Sequence, residues 1–121
     1  MYKIKLFIRN IKRVLRWLPI IWNDRDWDYY YIYEMLKQKL IRVEEYIRKE
    51  GVHIYNGEDA ASIRKAIEMV DKVQNEYYLD KFLSESQNWD DEGMRKAIED
   101  QDKARQELFE YLNNNIEKWW D

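Results

Sequence analysis

The chain has no cysteine, one proline, one histidine and three glycines in 121 residues. Each scarcity excludes something. Without cysteine there is no disulfide and no thiolate metal site, which suits a reducing compartment. His53 stands alone, so a histidine-based metal centre or proton relay has no second member. So few glycines and prolines are too few turn formers for a β protein with many tight connections. The longest uncharged apolar run is WLPIIW, residues 17–22, far short of a bilayer span. Charges interrupt every apolar segment near the start and no small-residue cleavage site follows, so no secretory leader is expected. There is no glycine-rich phosphate loop and no nucleophile elbow.

What the chain does contain is charge and aromatic surface. Charged residues make up 37% and hydrophobic ones 45%, with six tryptophans, ten tyrosines and three phenylalanines. That composition suits a helical domain able to bury a core without staples. The net charge of −3 hides an asymmetry. Lys3, Lys5, Arg9, Lys12, Arg13 and Arg16 give the first 23 residues +6 with no acid among them. The other 15 basic residues meet all 24 acidic ones, leaving the remainder at −9. A basic segment before an acidic body predicts docking of one on the other, or two surfaces with different partners.

Periodicity predicts an all-α fold: one domain over residues 1–121, an antiparallel bundle of three long helices plus an N-terminal basic amphipathic helix. In residues 1–18, Ile4, Phe7, Ile8, Ile11, Val14, Leu15 and Leu18 share a face, with most of the cations opposite. Pro19 then stops or bends that helix. A seam of Tyr29, Tyr33, Leu36, Leu40, Val43 and Ile47 places a second helix over 28–50. Gly51 is its expected cap, and a second stripe, Tyr31, Met35 and Tyr46, could receive the basic helix. A third helix over 58–84 turns Ile63, Ala66, Ile67, Val70, Val73 and Tyr77 inward. A fourth over 91–120 does so with Met94, Ala97, Ile98, Ala104, Leu108, Leu112, Ile116 and Trp119. Short connections favour antiparallel neighbours, which brings WNDRDWD (22–28) and QNWDDE (87–92) to the same end.

Asp24, Asp26, Asp28, Asp90, Asp91 and Glu92 would gather there. The structural explanation is that helix starts prefer acidic caps, with Trp22, Trp27 and Trp89 sealing the bundle end and Arg25 pairing with a carboxylate. The chemical one is an oxygen-only Mg²⁺ or Mn²⁺ site, although the spacing matches no EF-hand loop. EMVD (Glu68, Asp71) and EDQD (Glu99, Asp102) raise a metal-dependent nucleotide pyrophosphohydrolase. Both pairs point away from their seams and no upstream Glu-x-x-Glu accompanies them, so no catalytic residue, metal or cofactor is assigned. Tyr29, Tyr30 and Tyr31 sweep too wide an arc to face one seam, and such side chains recur at binding hot spots.

The W-x-D-R-D-W-D pattern (Trp22, Asp24, Arg25, Asp26, Trp27, Asp28), the following Lys39-Leu40 and the terminal Trp119, Trp120 and Asp121 resemble a group of small bacteriophage-encoded proteins of unestablished function. The resemblance implies a viral protein in the cytoplasm of an infected bacterium. A phage accessory protein without catalytic apparatus works by occupancy. The expectation is therefore a binding protein, not an enzyme, that inhibits an antiviral defence component by covering a host protein or sequestering a small signalling nucleotide. Trp22, Trp27, Tyr30, Tyr31 and Trp89 would anchor it, with Asp24, Arg25 and Asp26 giving polar specificity. The alternatives are a structural or assembly homo-oligomer built through residues 1–18 and, behind it, a Mg- or Mn-dependent nucleotide-processing enzyme. Membrane contact through the basic helix is a secondary option, and nucleic acid suits an acidic chain poorly.

Overall fold

A computed structural model describes residues 1–24, 29–50, 56–85 and 90–120. The regular structure of these residues is helical throughout: α1 (Tyr2–Asn23), α2 (Tyr30–Glu50), α3 (Asn56–Gln74), α4 (Tyr77–Glu85) and α5 (Asp91–Asn115), then a 3₁₀ turn, Ile116–Trp120. The chain is all-α, as the periodicity predicts. The Gly51 cap and His53 lie outside the described residues.

α3 is the most deeply buried rod. Ala60, Ile63, Ala66 and Val70 are fully buried, and Ile67 and Val73 nearly so. Two of its three alanines, Ala60 and Ala66, lie in this buried face with the branched side chains of Ile63, Ile67, Val70 and Val73. α2 meets it through Tyr33, Leu40, Val43 and Ile47, α5 through Leu108 and Leu112, and Trp119 of the 3₁₀ turn closes the cluster. Each large aliphatic side chain buried this way stabilises the fold by about 1.5–3 kcal/mol before entropy is counted. Polar pairs fix the directions. Going up α2, Tyr29, Lys37 and Glu44 reach Glu76, Asp71 and Arg64 in turn, so α2 and α3 are antiparallel. Gln101 bonds Val73 while Tyr111 bonds Ser62, so α5 runs antiparallel to α3 as well.

Two polar contacts inside this core are fully answered. Glu44, only 3% exposed, is gripped by both Nε and Nη2 of Arg64, the Nε bond measuring 2.9 Å, with Arg48 at 3.7 Å. Burying a carboxylate is costly unless charge and hydrogen bonds compensate it, and here a forked guanidinium supplies both. Ser62 Oγ accepts the Trp119 indole N–H at 3.0 Å and lies 2.9 Å from the Tyr111 hydroxyl, which donates to the Ser62 carbonyl at 3.0 Å. The 2% exposed Trp119 thus buries its ring without orphaning its polar handle.

Three helix boundaries differ from expectation. Pro19 does not stop α1; the helix continues through it to Asn23. A proline this close to the last turn removes one backbone bond. Asn23 Nδ2 donates to the Pro19 carbonyl at 2.7 Å, and the Asp24 N–H to that of Ile21, so the terminal carbonyls have partners. The single rod expected over 58–84 is two helices. Asn75 Nδ2 caps the Asp71 carbonyl at 3.0 Å, and Glu76 takes a left-handed backbone with φ 50°, costing about 1–2 kcal/mol for a residue with a Cβ. Gln101 of α5 bridges the break, donating through Nε2 to the Val73 carbonyl and accepting the Tyr78 N–H. The break turns Tyr77, expected inward, to 42% exposure. Finally, α5 stops at Asn115 and tightens into 3₁₀ geometry. Asn113, Asn114 and Asn115 are weak helix formers that compete for backbone groups, and Asn115 Nδ2 takes the Tyr111 carbonyl at 2.8 Å.

α4 packs on the first turns of α5. Asp90 caps α5 by accepting the Gly93 N–H at 2.8 Å, and Asp91 and Glu92 follow at the positive end of the helix dipole. A Cβ at Gly93 would lie 2.5 Å from the Phe82 ring, so only glycine admits that ring against the cap.

α1 behaves differently. None of its residues is buried, and its touch on α2 is Trp17, whose ring lies under the Arg42 guanidinium at 5.6 Å. The expected docking of its apolar face on the bundle is not what the structure has. Ile4, Phe7, Ile11, Leu15 and Leu18 are all exposed, as is Tyr46 of the stripe meant to receive them. Among the described residues, none of its charges forms an ion pair with an acid at that contact. Burial first, then Arg16 and Arg13, hold Arg42 below its ordinary pKa, and Glu45 only partly offsets them.

Candidate functional site

The end of the molecule where α2 begins and α3 breaks carries a cluster of aromatic side chains. Tyr30 and Tyr31 pack edge to face at 5.2 Å, and Tyr29 and Tyr33 do the same at 6.1 Å. Tyr33 also meets Phe109 of α5 at 6.4 Å, so the Tyr29–Tyr33 row reaches across two helices. Edge-to-face pairs add about 0.5–1.5 kcal/mol beyond area burial. Tyr29 is 54% and Phe109 49% exposed.

Beside this row lies an open groove of about 400 Å³ lined by Tyr29, Tyr33, Glu76, Ile98, Gln101 and Arg105, among others. Its charges are already engaged. The Tyr29 hydroxyl donates to the Glu76 carboxylate, and Arg105 sits 3.1 Å from Asp102. Beneath the row runs a polar network. Gln74, 2% exposed, donates to Glu34 at 2.6 Å and to the Tyr30 carbonyl at 3.4 Å, while Lys37 spans Glu34 and Asp71 at 3.3 Å each. Burial is the largest influence on the Glu34 carboxyl and pushes it up. Hydrogen bonds from Gln74 and Gln38 and the charge of Lys37 together outweigh burial and hold it below its ordinary pKa. The Gln74 Oε1 is buried without a partner among the described residues.

The sequence candidates fall in different places. Tyr30 and Tyr31 form the half-buried ring pair at the start of α2. Trp22 stands 82% exposed at the far end of α1. Asp24 caps α1 with an extended backbone. Arg25, Asp26, Trp27 and Trp89 lie outside the described residues. No known protein family, curated protein or solved structure matches this chain.

Among the described residues no three acidic or histidine side chains come close enough to hold a metal ion. Of the paired acids, Asp71 is committed to Lys37 and Asn75 and Asp102 to Arg105. Sequence reasoning missed Glu76, Ile98, Arg105 and Phe109 as members of this end. Ile98 was assigned to the core but is 48% exposed, and Phe109 lies on no stripe. An aromatic residue off the seam is the one signal that pointed to it.

Proposed function

We propose that this protein acts by occupancy, as a binding module with no chemistry of its own, and that the phage resemblance gives its setting: an accessory protein that inhibits a host or defence protein in the infected cell. The architecture behind this reading is the antiparallel three-helix bundle with α1 as an appended arm. The observation that supports it is the aromatic start of α2, where Tyr30 packs on Tyr31 and, separately, Tyr29 packs on Tyr33, which also meets Phe109 of α5. Aromatic side chains on rigid elements supply contact area at small entropic cost. The body around the row is acidic, which suits a basic functional site on the partner. Trp22, Asp24, Arg25, Asp26, Trp27 and Trp89 remain proposed contributors to the same surface.

A small signalling nucleotide is the weaker occupant. The groove volume would admit one, but Glu76 and Asp102 line it and its one arginine, Arg105, is paired, a poor match for phosphate. Affinity capture from lysate of the bacterial host, with mass spectrometry of proteins and of small molecules released on denaturation, tests the reading. A basic host protein bound by the wild type, and bound at least tenfold more weakly by Tyr31→Ala with Phe109→Ala, is the expected result. Equal capture by both forms, or release of a nucleotide alone, overturns it.

A further inference from the structure

α1 has two sides that the rest of the chain treats oppositely. Leu6, Trp17 and Ile20 are its half-buried apolar residues, and Trp17 makes the contact with Arg42. At 3.6 residues per turn these three fall on one side of the helix, and Ile4, Ile8, Ile11, Leu15, Leu18 and Trp22 fall roughly opposite. These six are 59%, 48%, 43%, 60%, 46% and 82% exposed. The helix rests on α2 by its narrow side and points its broad apolar face away from the protein.

Whatever covers that face must be apolar along its centre and negative at its edges. The strip from Ile4 to Trp22 is about 27 Å long at 1.5 Å per residue. Lys5, Lys12, Arg9 and Arg16 follow on the polar side, and the first 23 residues hold six cations and no carboxylate. A second copy of α1 would bring six more cations to the same seam. Among the described residues, the contact at α2 sets Arg13 and Arg16 near Arg42, and Glu45 offsets them only in part. An anionic bilayer matches both requirements, with acyl chains for the isoleucines and Trp22 and headgroups for the lysines and arginines, whose stems reach outward.

We propose that α1 is an in-plane anchor that lays the protein on an anionic lipid surface, its Ile4–Trp22 strip at the acyl boundary and its acidic body held outward. No helix of the described residues is long and apolar enough to cross a membrane, so the contact is a lying one. It shares Trp22 with the occupancy reading and is otherwise independent of it.

The test is flotation of the full-length protein with vesicles containing phosphatidylglycerol and with vesicles of phosphatidylcholine alone. The protein should float with the first, remain behind with the second, and be released by salt. Ile11→Asp with Leu15→Asp should abolish flotation. Because both side chains are exposed, helicity and the melting temperature should stay unchanged. Lys12→Gln and Arg16→Gln should each weaken partition about fivefold, and Tyr31→Ala with Phe109→Ala should leave it unaltered. Absence of flotation with phosphatidylglycerol, or flotation that survives Ile11→Asp with Leu15→Asp, overturns the proposal. So does a wild-type oligomer by light scattering that those two substitutions dissolve without any vesicle binding, since a second copy would then cover the face.

Discussion

α1 and α3 are rods of similar length, 22 and 19 residues, and both are amphipathic. α3 carries alanine, isoleucine and valine into complete burial, while α1 carries isoleucine, leucine and phenylalanine into water. The difference lies in the polar side. The charges of α3 pair across the seam, with Arg64 on Glu44 and Asp71 on Lys37. Those of α1 have one sign only. An apolar stripe therefore decides that a helix must be covered, and the charges flanking it decide by what.

The largest test of this contrast compares two isoleucines. Ile63→Ala removes a fully buried side chain and should lower the free energy of unfolding by about 2–5 kcal/mol. Ile11→Ala, on the exposed stripe, should change it by less than about 0.5 kcal/mol without lipid. Urea unfolding reads both, and equal losses would break the contrast.

The seam charges sharpen it. Arg64→Ala strands the buried Glu44 carboxylate with only Arg48 at 3.7 Å and should cost about 2–3 kcal/mol. Glu44→Leu returns a half-exposed Arg64 to water and should cost about 1 kcal/mol or less. A larger loss for Glu44→Leu would reverse that account.

The smallest effect concerns Glu34. Its lowered pKa means that its contribution is fully present above the ordinary carboxylate value and is lost as pH falls through the lowered one. The stability difference between wild type and Glu34→Gln should thus be flat above about pH 5 and shrink below about pH 4. A difference that shrinks above pH 5 would contradict the arrangement around Gln74.

The core seams were legible because local spacing encodes them. Leu40, Val43 and Ile47 on one helix, and Ile63, Ile67 and Val70 on another, repeat at three and four residues and are buried as read. The break after Gln74 was not legible, because what stabilises it is distant. Glu76 is held by Tyr29, 47 residues away, and the neighbouring backbone by Gln101. Periodicity also marks a face as apolar without saying what covers it, which is why α1 was misplaced. The groove was half visible: the tyrosines announced themselves, whereas Ile98 and Arg105 line it only once α5 is packed on α3.

The joint between α3 and α4 has one more consequence. A single amide side chain, borrowed from another rod, does there what a continuous ladder of backbone bonds does elsewhere. The kink is consequently set by the assembled chain as well as by the Asn75 cap at the bend. A peptide cut to span only the two bent pieces would lack that clasp, and its strained torsion at Glu76 would relax.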